Sequence, residues 1–126
     1  MRSDAFSRAA EAKDFSRVEE LFTEDVVFRS PVVFKPYEGR EALGVLLGAV
    51  AQVFKDFRYL EQVEDKDTAV LMFEARAGDR ELQGVDILKF GDDAKIRELT
   101  VMVRPMSGMH ALADHMKRML EAAETA

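Results

Sequence analysis

The sequence contains no cysteine and has no strongly basic segment. Without cysteine, the chain has no disulfide framework, no thiolate zinc site and no cysteine nucleophile. Its 126 residues include 18 Lys and Arg against 24 Asp and Glu, which gives a formal net charge of −6. A nucleic-acid-binding protein needs a basic face that displaces phosphate counterions, and no run of Lys and Arg supplies one. We therefore expect no nucleic-acid partner.

Long apolar runs are also missing. The longest, Ala42–Phe54, contains Gln52 and is shorter than the roughly 18 residues that a bilayer span requires. The first residues lead into charged positions rather than into the apolar core of a signal peptide. The sequence therefore predicts no membrane partner and a cytoplasmic location.

The amino-acid composition is typical of a globular protein. Hydrophobic residues make up 48% of the chain and charged residues 33%, which are ordinary values for a folded domain. No repeat, low-complexity tract or linker interrupts the sequence. We expect residues 1–126 to form one domain.

The first half of the chain is typical of helices flanking one strand. Two helical pieces are predicted within the first 22 residues, the second following an N-cap at Asp14 and including Phe15 and Phe22. The β-branched and aromatic segment Asp25–Ser30 predicts a strand, followed by a loop as far as residue 39. Apolar residues from Leu43 to Phe54 then recur with the clearest helical period.

From residue 57 onward the apolar period falls to two. Strands are predicted near 57–64, 68–77, 81–90 and 95–104, as an antiparallel meander with short turns. Ser107 is a candidate N-cap for a closing helix. These elements predict an α+β, cone-shaped fold. The N-terminal helices and the long helix would pack on a strongly curved, mainly antiparallel sheet, with a C-terminal helix completing a closed cup.

Three segments resemble the nuclear transport factor 2-like superfamily, and within it the SnoaL-like branch. They are residues 14–31, the Glu-Gly-Arg-Glu-Ala-Leu segment at 38–43 and the hairpin at 85–96. The resemblance covers nearly the whole chain and implies a cystatin-like α+β fold. The superfamily includes steroid isomerases, polyketide cyclases, dehydratases, epoxide hydrolases and domains without catalysis. Each chemistry must therefore be sought residue by residue.

The steroid-isomerase residues of this superfamily are incompletely matched. The resemblance places their base at Ser30, their phenol at Phe6 and their protonated acid at Asp86. A serine without an activating neighbour is a poor base for a carbon-bound proton, and phenylalanine cannot donate a hydrogen bond. Of the three positions, Asp86 alone carries a suitable group.

Two further chemistries depend on which face of the sheet carries the acids. A cyclase-type base in the last strand would be Glu98, which alternation places opposite Leu99 and therefore outside the cup. An epoxide-hydrolase-like set would combine Glu74, Arg76 and Asp86. A two-residue turn at 78–79 puts Asp86 inside and the other two outside, whereas a three-residue turn reverses this. We favour the shorter turn.

The first hypothesis is a protein that binds a small, mostly apolar molecule and acts as a weak acid–base catalyst through Asp86. Burial should raise the pKa of this carboxyl. The alternative is that Asp86 is a structural acid, hydrogen-bonded to a helix end or to Tyr59. No cofactor or metal site is predicted. The expected pocket residues are Phe6, Phe28, Ser30, Phe54, Tyr59, Phe73, Leu88, Leu99, Val101 and Val103.

The alternative hypothesis is a non-catalytic interaction module whose pocket is filled by its own side chains. Under either hypothesis, the outer sheet face exposes Val85, Ile87, Thr100 and Met102. An apolar patch of this kind usually marks an interface. We therefore expect a homodimer through the outer face of the sheet.

Overall fold

The computed structural model describes residues 1–125, without the side chains of residue 120 and residues 122–125. It is an α+β structure, as predicted. The helices are α1 (Asp4–Ala12), α2 (Val18–Leu21), α3 (Arg40–Val53) and α4 (Met106–Thr125). The strands are β1 (Phe22–Arg29), β2 (Tyr37–Glu38), β3 (Phe54–Asp65), β4 (Thr68–Ala77), β5 (Arg80–Phe90) and β6 (Ile96–Arg104).

The six strands form one mixed sheet in the order β2-β1-β6-β5-β4-β3. Strands β3 to β6 are an antiparallel meander, as predicted, whereas β1 pairs with β6 in parallel. The sheet is open, because β2 and β3 are its two outer edges. Packed helices cover the inner face of this open sheet, as predicted.

Two irregularities bend β3. Its pairing with β4 shifts between Lys55 and Arg58 and again between Tyr59 and residue 61. Asp56, inside the first shift, has a φ of 53°. Extra residues of this kind bend a strand and redirect its side chains. As a result Phe54, Phe57 and Tyr59 all pack on the inner face, although their spacing is three and then two.

The β4–β5 hairpin has the shorter of the two turns considered. Ala77 pairs with Arg80, so that two residues form the turn, and Leu71 pairs with Asp86. Gly78 takes a φ of 62° at the first turn position, where a two-residue hairpin often needs a positive φ. The favoured register is confirmed, and it directs Asp86 to the inner face.

The prediction of a second helix over residues 14–22 is largely wrong. Only Val18–Leu21 is helical. Asp14 accepts hydrogen bonds from the backbone N–H and the hydroxyl of Ser16, but these contacts form a turn that no helix continues until Val18. Phe15 precedes this helix. Phe22 begins β1, where it pairs with Ile96 of β6. Pairing with a distant strand has overridden a local helical period.

Three smaller differences concern element ends. Strand β1 begins earlier than the predicted Asp25 and ends at Arg29. The predicted loop contains β2, whose Tyr37 pairs with Phe28. Ser107 is not an N-cap, because α4 already begins at Met106. In the part of the chain that the structure describes, no helix is long and apolar enough to cross a bilayer.

Candidate functional site

A cavity of about 460 Å³ lies between the inner face of the sheet and the helices. Its wall contains Asp86 and eight of the ten predicted pocket residues, namely Phe6, Phe28, Ser30, Phe54, Tyr59, Phe73, Leu99 and Val101. Strand alternation therefore brought most of the predicted set together. Cavities of this size suit small organic ligands.

Leu88 and Val103 were predicted pocket residues but do not line this cavity. Leu88 is fully buried against its strand partners Ala69 and Leu99, so other side chains separate it from the open space. Val103 packs against the buried cluster that includes Leu82 and Leu112. Leu88 is thus enclosed by the core, whereas Val103 is only partly buried.

The helices supply many further wall residues. The apolar stripe predicted on the long helix contributes Leu46, Leu47 and Val50. Neither strand alternation nor the resemblance pointed to the others, which come from α1 and the segment after it, the loop after β1, β2, α3, β3 and α4; they are Ala10, Lys13, Phe15, Pro31, Val32, Val33, Tyr37, Ala51, Phe57, Leu112, Ala113, Asp114, Met116 and Lys117.

Asp86 is a buried carboxyl in the wall of this cavity, with 6% of its surface exposed. Its strand partners are Leu71 on β4 and Val101 on β6, both apolar. The hydroxyl of Tyr59 donates a hydrogen bond to Asp86 Oδ2 at 2.7 Å. Asp86 is thus both the predicted inward-facing acid and the partner of Tyr59.

Burial raises the pKa of Asp86 to about 7, and the hydrogen bond from Tyr59 opposes part of that rise. Desolvation disfavours a carboxylate because the surrounding side chains cannot replace its hydration shell. Burial and the neighbouring Asp86 carboxylate also raise the pKa of the Tyr59 phenol. Tyr59 therefore keeps its proton, while Asp86 exchanges its own proton near neutral pH.

Tyr59 belongs to a group of four packed rings, which we call the aromatic cluster: Phe54, Phe57, Tyr59 and Phe73. Phe57 and Phe73 both meet Tyr59 edge-on, with ring centroids 4.9 and 6.3 Å away. Phe73 lies over Gly84, where an added Cβ would come within 2.4 Å of the ring and 2.6 Å of the Met102 carbonyl oxygen. The missing side chain at position 84 therefore makes room for the cluster.

The epoxide-hydrolase-like set is not assembled. Glu74 accepts a hydrogen bond from Arg58, and Arg76 pairs with Asp56 at 2.8 Å, both outside the cavity. The two-residue turn places these side chains on the opposite face from Asp86. That alternative is therefore wrong.

The side chains of Glu98 and Ser30 are both occupied by contacts with other residues. Glu98 pairs with Arg29 at 3.2 Å and is not part of the cavity wall, as the strand alternation predicted. Ser30 lines the cavity, but its Oγ accepts hydrogen bonds from the backbone N–H groups of Val32 and Val33. These contacts organise the loop after β1 and give the hydroxyl a structural role.

Charged side chains occur at the solvent side of the cavity wall. Lys13, Asp114 and Lys117 line the cavity and are exposed, and we call them the charged rim. Lys13 follows α1 with a φ of 56°, and its Nζ donates to the Phe54 carbonyl oxygen at 2.8 Å. Among the described residues, no group of three or more His, Cys, Asp and Glu side chains could hold a metal ion.

Comparisons with known proteins agree with the fold. Residues 4–99 match the family model of the SnoaL-like domain. A steroid delta-isomerase structure from Pseudomonas aeruginosa is 40% identical, with a TM-score of 0.95 over 99% of this chain and 93% of that chain. A protein with a cystatin-like fold from Silicibacter pomeroyi is 30% identical, with a TM-score of 0.85 over 89% of this chain and 79% of that one.

At lower identity the likeness concerns the fold alone. A protein from Jannaschia named for SnoaL-like polyketide cyclases is 10% identical, with a TM-score of 0.70 over 84% of this chain and 85% of that one. Among curated proteins, no sequence matches this chain. The family model nevertheless spans well over half of the residues, so the resemblance drawn from the sequence is confirmed: the chain belongs to the SnoaL-like family.

Proposed function

We propose that the protein binds a mostly apolar small molecule in the cavity and holds one polar group of that molecule against Asp86. The observation that carries this proposal is a buried carboxyl in the wall of an apolar cavity of about 460 Å³. A protonated carboxyl can donate a hydrogen bond to a carbonyl oxygen, which a carboxylate cannot do. The ligand group facing Asp86 is therefore a hydrogen-bond acceptor, such as a ketone.

The similarity to the steroid delta-isomerase from Pseudomonas aeruginosa supports a rigid, polycyclic ketone as the ligand type. A pKa near neutrality lets Asp86 both take up and release a proton, as general acid–base catalysis requires. Phe6 supplies no phenol, but Tyr59 brings one to Asp86 from β3. In this proposal, weak isomerase- or cyclase-type chemistry proceeds through Asp86 and Tyr59.

A keto-steroid should displace the neutral dye N-phenylnaphthylamine from the cavity, with an affinity that falls as the pH rises through about 7. Above that pH Asp86 loses the proton that it donates to the ketone. The dissociation constant should therefore rise by up to about tenfold per pH unit, the limit for a single proton. Dye fluorescence measured at a series of pH values gives this profile.

Two variants separate Asp86 from general effects of pH. Asp86→Asn keeps an N–H donor at every pH, so its affinity profile should be flat. Asp67→Asn changes an exposed acid that pairs with Arg97 outside the cavity, so it should retain the wild-type profile. A wild-type affinity that is the same at every pH would remove Asp86 from the binding site.

The module alternative required an interior filled by its own side chains, and the open cavity argues against that part of it. We also propose that the outer sheet face pairs with a second copy of the chain. Leu60, Met72 and Met102 are 40–55% exposed on this face, around a groove of about 280 Å³. Charged pairs such as Arg58–Glu74 and Arg29–Glu98 flank the apolar centre.

Met102→Glu should convert a dimer into a monomer, because it places a carboxylate in the middle of the proposed interface, where desolvation is costly. Sedimentation velocity at micromolar concentration measures the change from twice 14.2 kDa to 14.2 kDa. Met106→Glu is the matched control, since Met106 is 76% exposed at the start of α4 and lies off the sheet. A monomeric wild-type protein would contradict the proposal.

A further inference from the structure

The charged rim has a composition that the proposed apolar ligand leaves unexplained. Two ammonium groups and one carboxylate, from Lys13, Lys117 and Asp114, line the solvent side of an otherwise apolar cavity. The formal charges of these three side chains add up to +1, whereas the formal net charge of the chain is −6. Exposed ammonium groups beside an apolar cavity are a local feature of this acidic protein, and they attract anions.

Lys13 is held at this position by the backbone. Its left-handed conformation ends α1, and its own N–H bonds to the carbonyl oxygens of Ala9 and Ala10. One N–H of its ammonium group donates to the Phe54 carbonyl oxygen, beside the C-terminal end of α3. An ammonium group has three N–H donors. Two donors of Lys13 therefore remain for a ligand.

Lys117 lies one turn after Asp114 on α4. Within the described part of the chain, neither Lys13 nor Lys117 has a carboxylate within the 4.0 Å that defines an ion pair, so neither cation is neutralised by Asp114. Asp114 lowers the positive charge of the rim but leaves both ammonium groups accessible to a ligand. The two ammonium groups of the rim are thus available to an anionic group of a ligand.

We infer that the ligand is an amphipathic anion, whose apolar body fills the cavity and whose one anionic group, such as a carboxylate or sulfonate, contacts Lys13 and Lys117. The inference rests on the proposed function, because it requires the apolar body to occupy the same cavity. The two ends of such a ligand make different kinds of contact. The acceptor group faces Asp86 at the wall, and the anion faces solvent at the rim.

A pair of dyes tests this inference directly. N-phenylnaphthylamine is neutral, and anilinonaphthalene sulfonate has the same ring system with one anionic group added. In the double variant Lys13→Met and Lys117→Met, the sulfonate should bind about fivefold to tenfold more weakly, as expected for losing two partly exposed ion pairs. The neutral dye should bind as it does to the wild-type protein. Added salt should weaken sulfonate binding alone.

Three further variants control the comparison. Lys55→Met removes the same charge from an exposed residue outside the cavity wall, so it should leave both dyes unaffected. Asp114→Asn removes the rim carboxylate and should tighten sulfonate binding by about twofold to threefold. Ala113→Trp narrows the mouth and should weaken both dyes, with circular dichroism confirming that each variant is folded.

The outcomes separate the two proposals. Equal sulfonate affinity in the wild-type protein and the double lysine variant, with the neutral dye still bound, would overturn the anionic rim and leave the apolar cavity site intact. Failure of both dyes to bind the wild-type protein would overturn both proposals. Sulfonate binding that Ala113→Trp does not change would place the dye outside the cavity and would also overturn the inference.

Discussion

Asp86→Asn should remove most of the pH dependence of stability between about pH 4 and pH 8. In the wild-type protein the free energy of unfolding should fall over this range. Burial raises the pKa of Asp86 from 3.8 to about 7, so the folded chain holds a proton that the unfolded chain has released. The stabilisation is fully present below the unfolded pKa and is lost as the pH rises through the folded pKa. A pKa difference of this size corresponds to a loss of about 4 kcal/mol in the free energy of unfolding.

Urea unfolding at a series of pH values measures this effect. Above about pH 7 the Asn variant should be more stable than the wild-type protein, because it buries no charge there. Asp67→Asn serves as the control. Hydrogen bonds from Thr68 and Arg97 lower the pKa of Asp67, so its stabilising effect is lost only as the pH falls. Parallel pH curves for Asp86→Asn and the wild-type protein would show that Asp86 titrates normally.

Gly84→Ala should destabilise the protein by about 3 kcal/mol, at the upper end of the usual cost of overpacking a core. The new methyl group would lie 2.6 Å from the Met102 carbonyl oxygen, and backbone cannot move aside as a flexible side chain can. It would also lie 2.4 Å from the Phe73 ring, which would have to move. Chemical denaturation measures the loss of stability.

A second glycine provides the matched control for this substitution. Gly48 lies within α3, and a Cβ added there would meet nothing within 4 Å. Gly48→Ala should therefore stabilise the protein by up to about 1 kcal/mol, because alanine favours a helix over glycine. If both substitutions had the same small effect, the close packing of Phe73 on β5 would be contradicted.

Period-two alternation and turn length were enough to predict the position of Asp86. A two-residue turn at Gly78–Asp79 fixes the partner of every residue in the hairpin, and a carboxyl six residues beyond Arg80 must then face the same side as Leu71. The eight predicted residues that line the cavity follow from the same alternation, from the helical period that includes Phe54, or from the resemblance. These features depend on neighbours that are close along the chain.

The errors arose where distant parts of the chain decide the structure. Phe22 has a helical spacing but joins β1, because Ile96 of β6 offers it a strand partner. Phe57 was not predicted in the cavity wall, since the irregularity at Asp56 disturbs simple alternation. Lys13 and Lys117 line the same cavity only because helices from distant parts of the chain pack around it, and the sequence carries no local signal for that packing.

The long edge strand has a consequence for solubility. Strand β3 has 12 residues with one side unpaired in the sheet, which is the kind of edge that recruits strands from other molecules. Its two irregularities interrupt the row of backbone donors and acceptors, and Lys55, Arg58 and Glu61 add exposed charge along it. Fibre-like stacking through this edge is therefore disfavoured, which leaves the outer sheet face proposed as an interface as the better surface for ordered assembly.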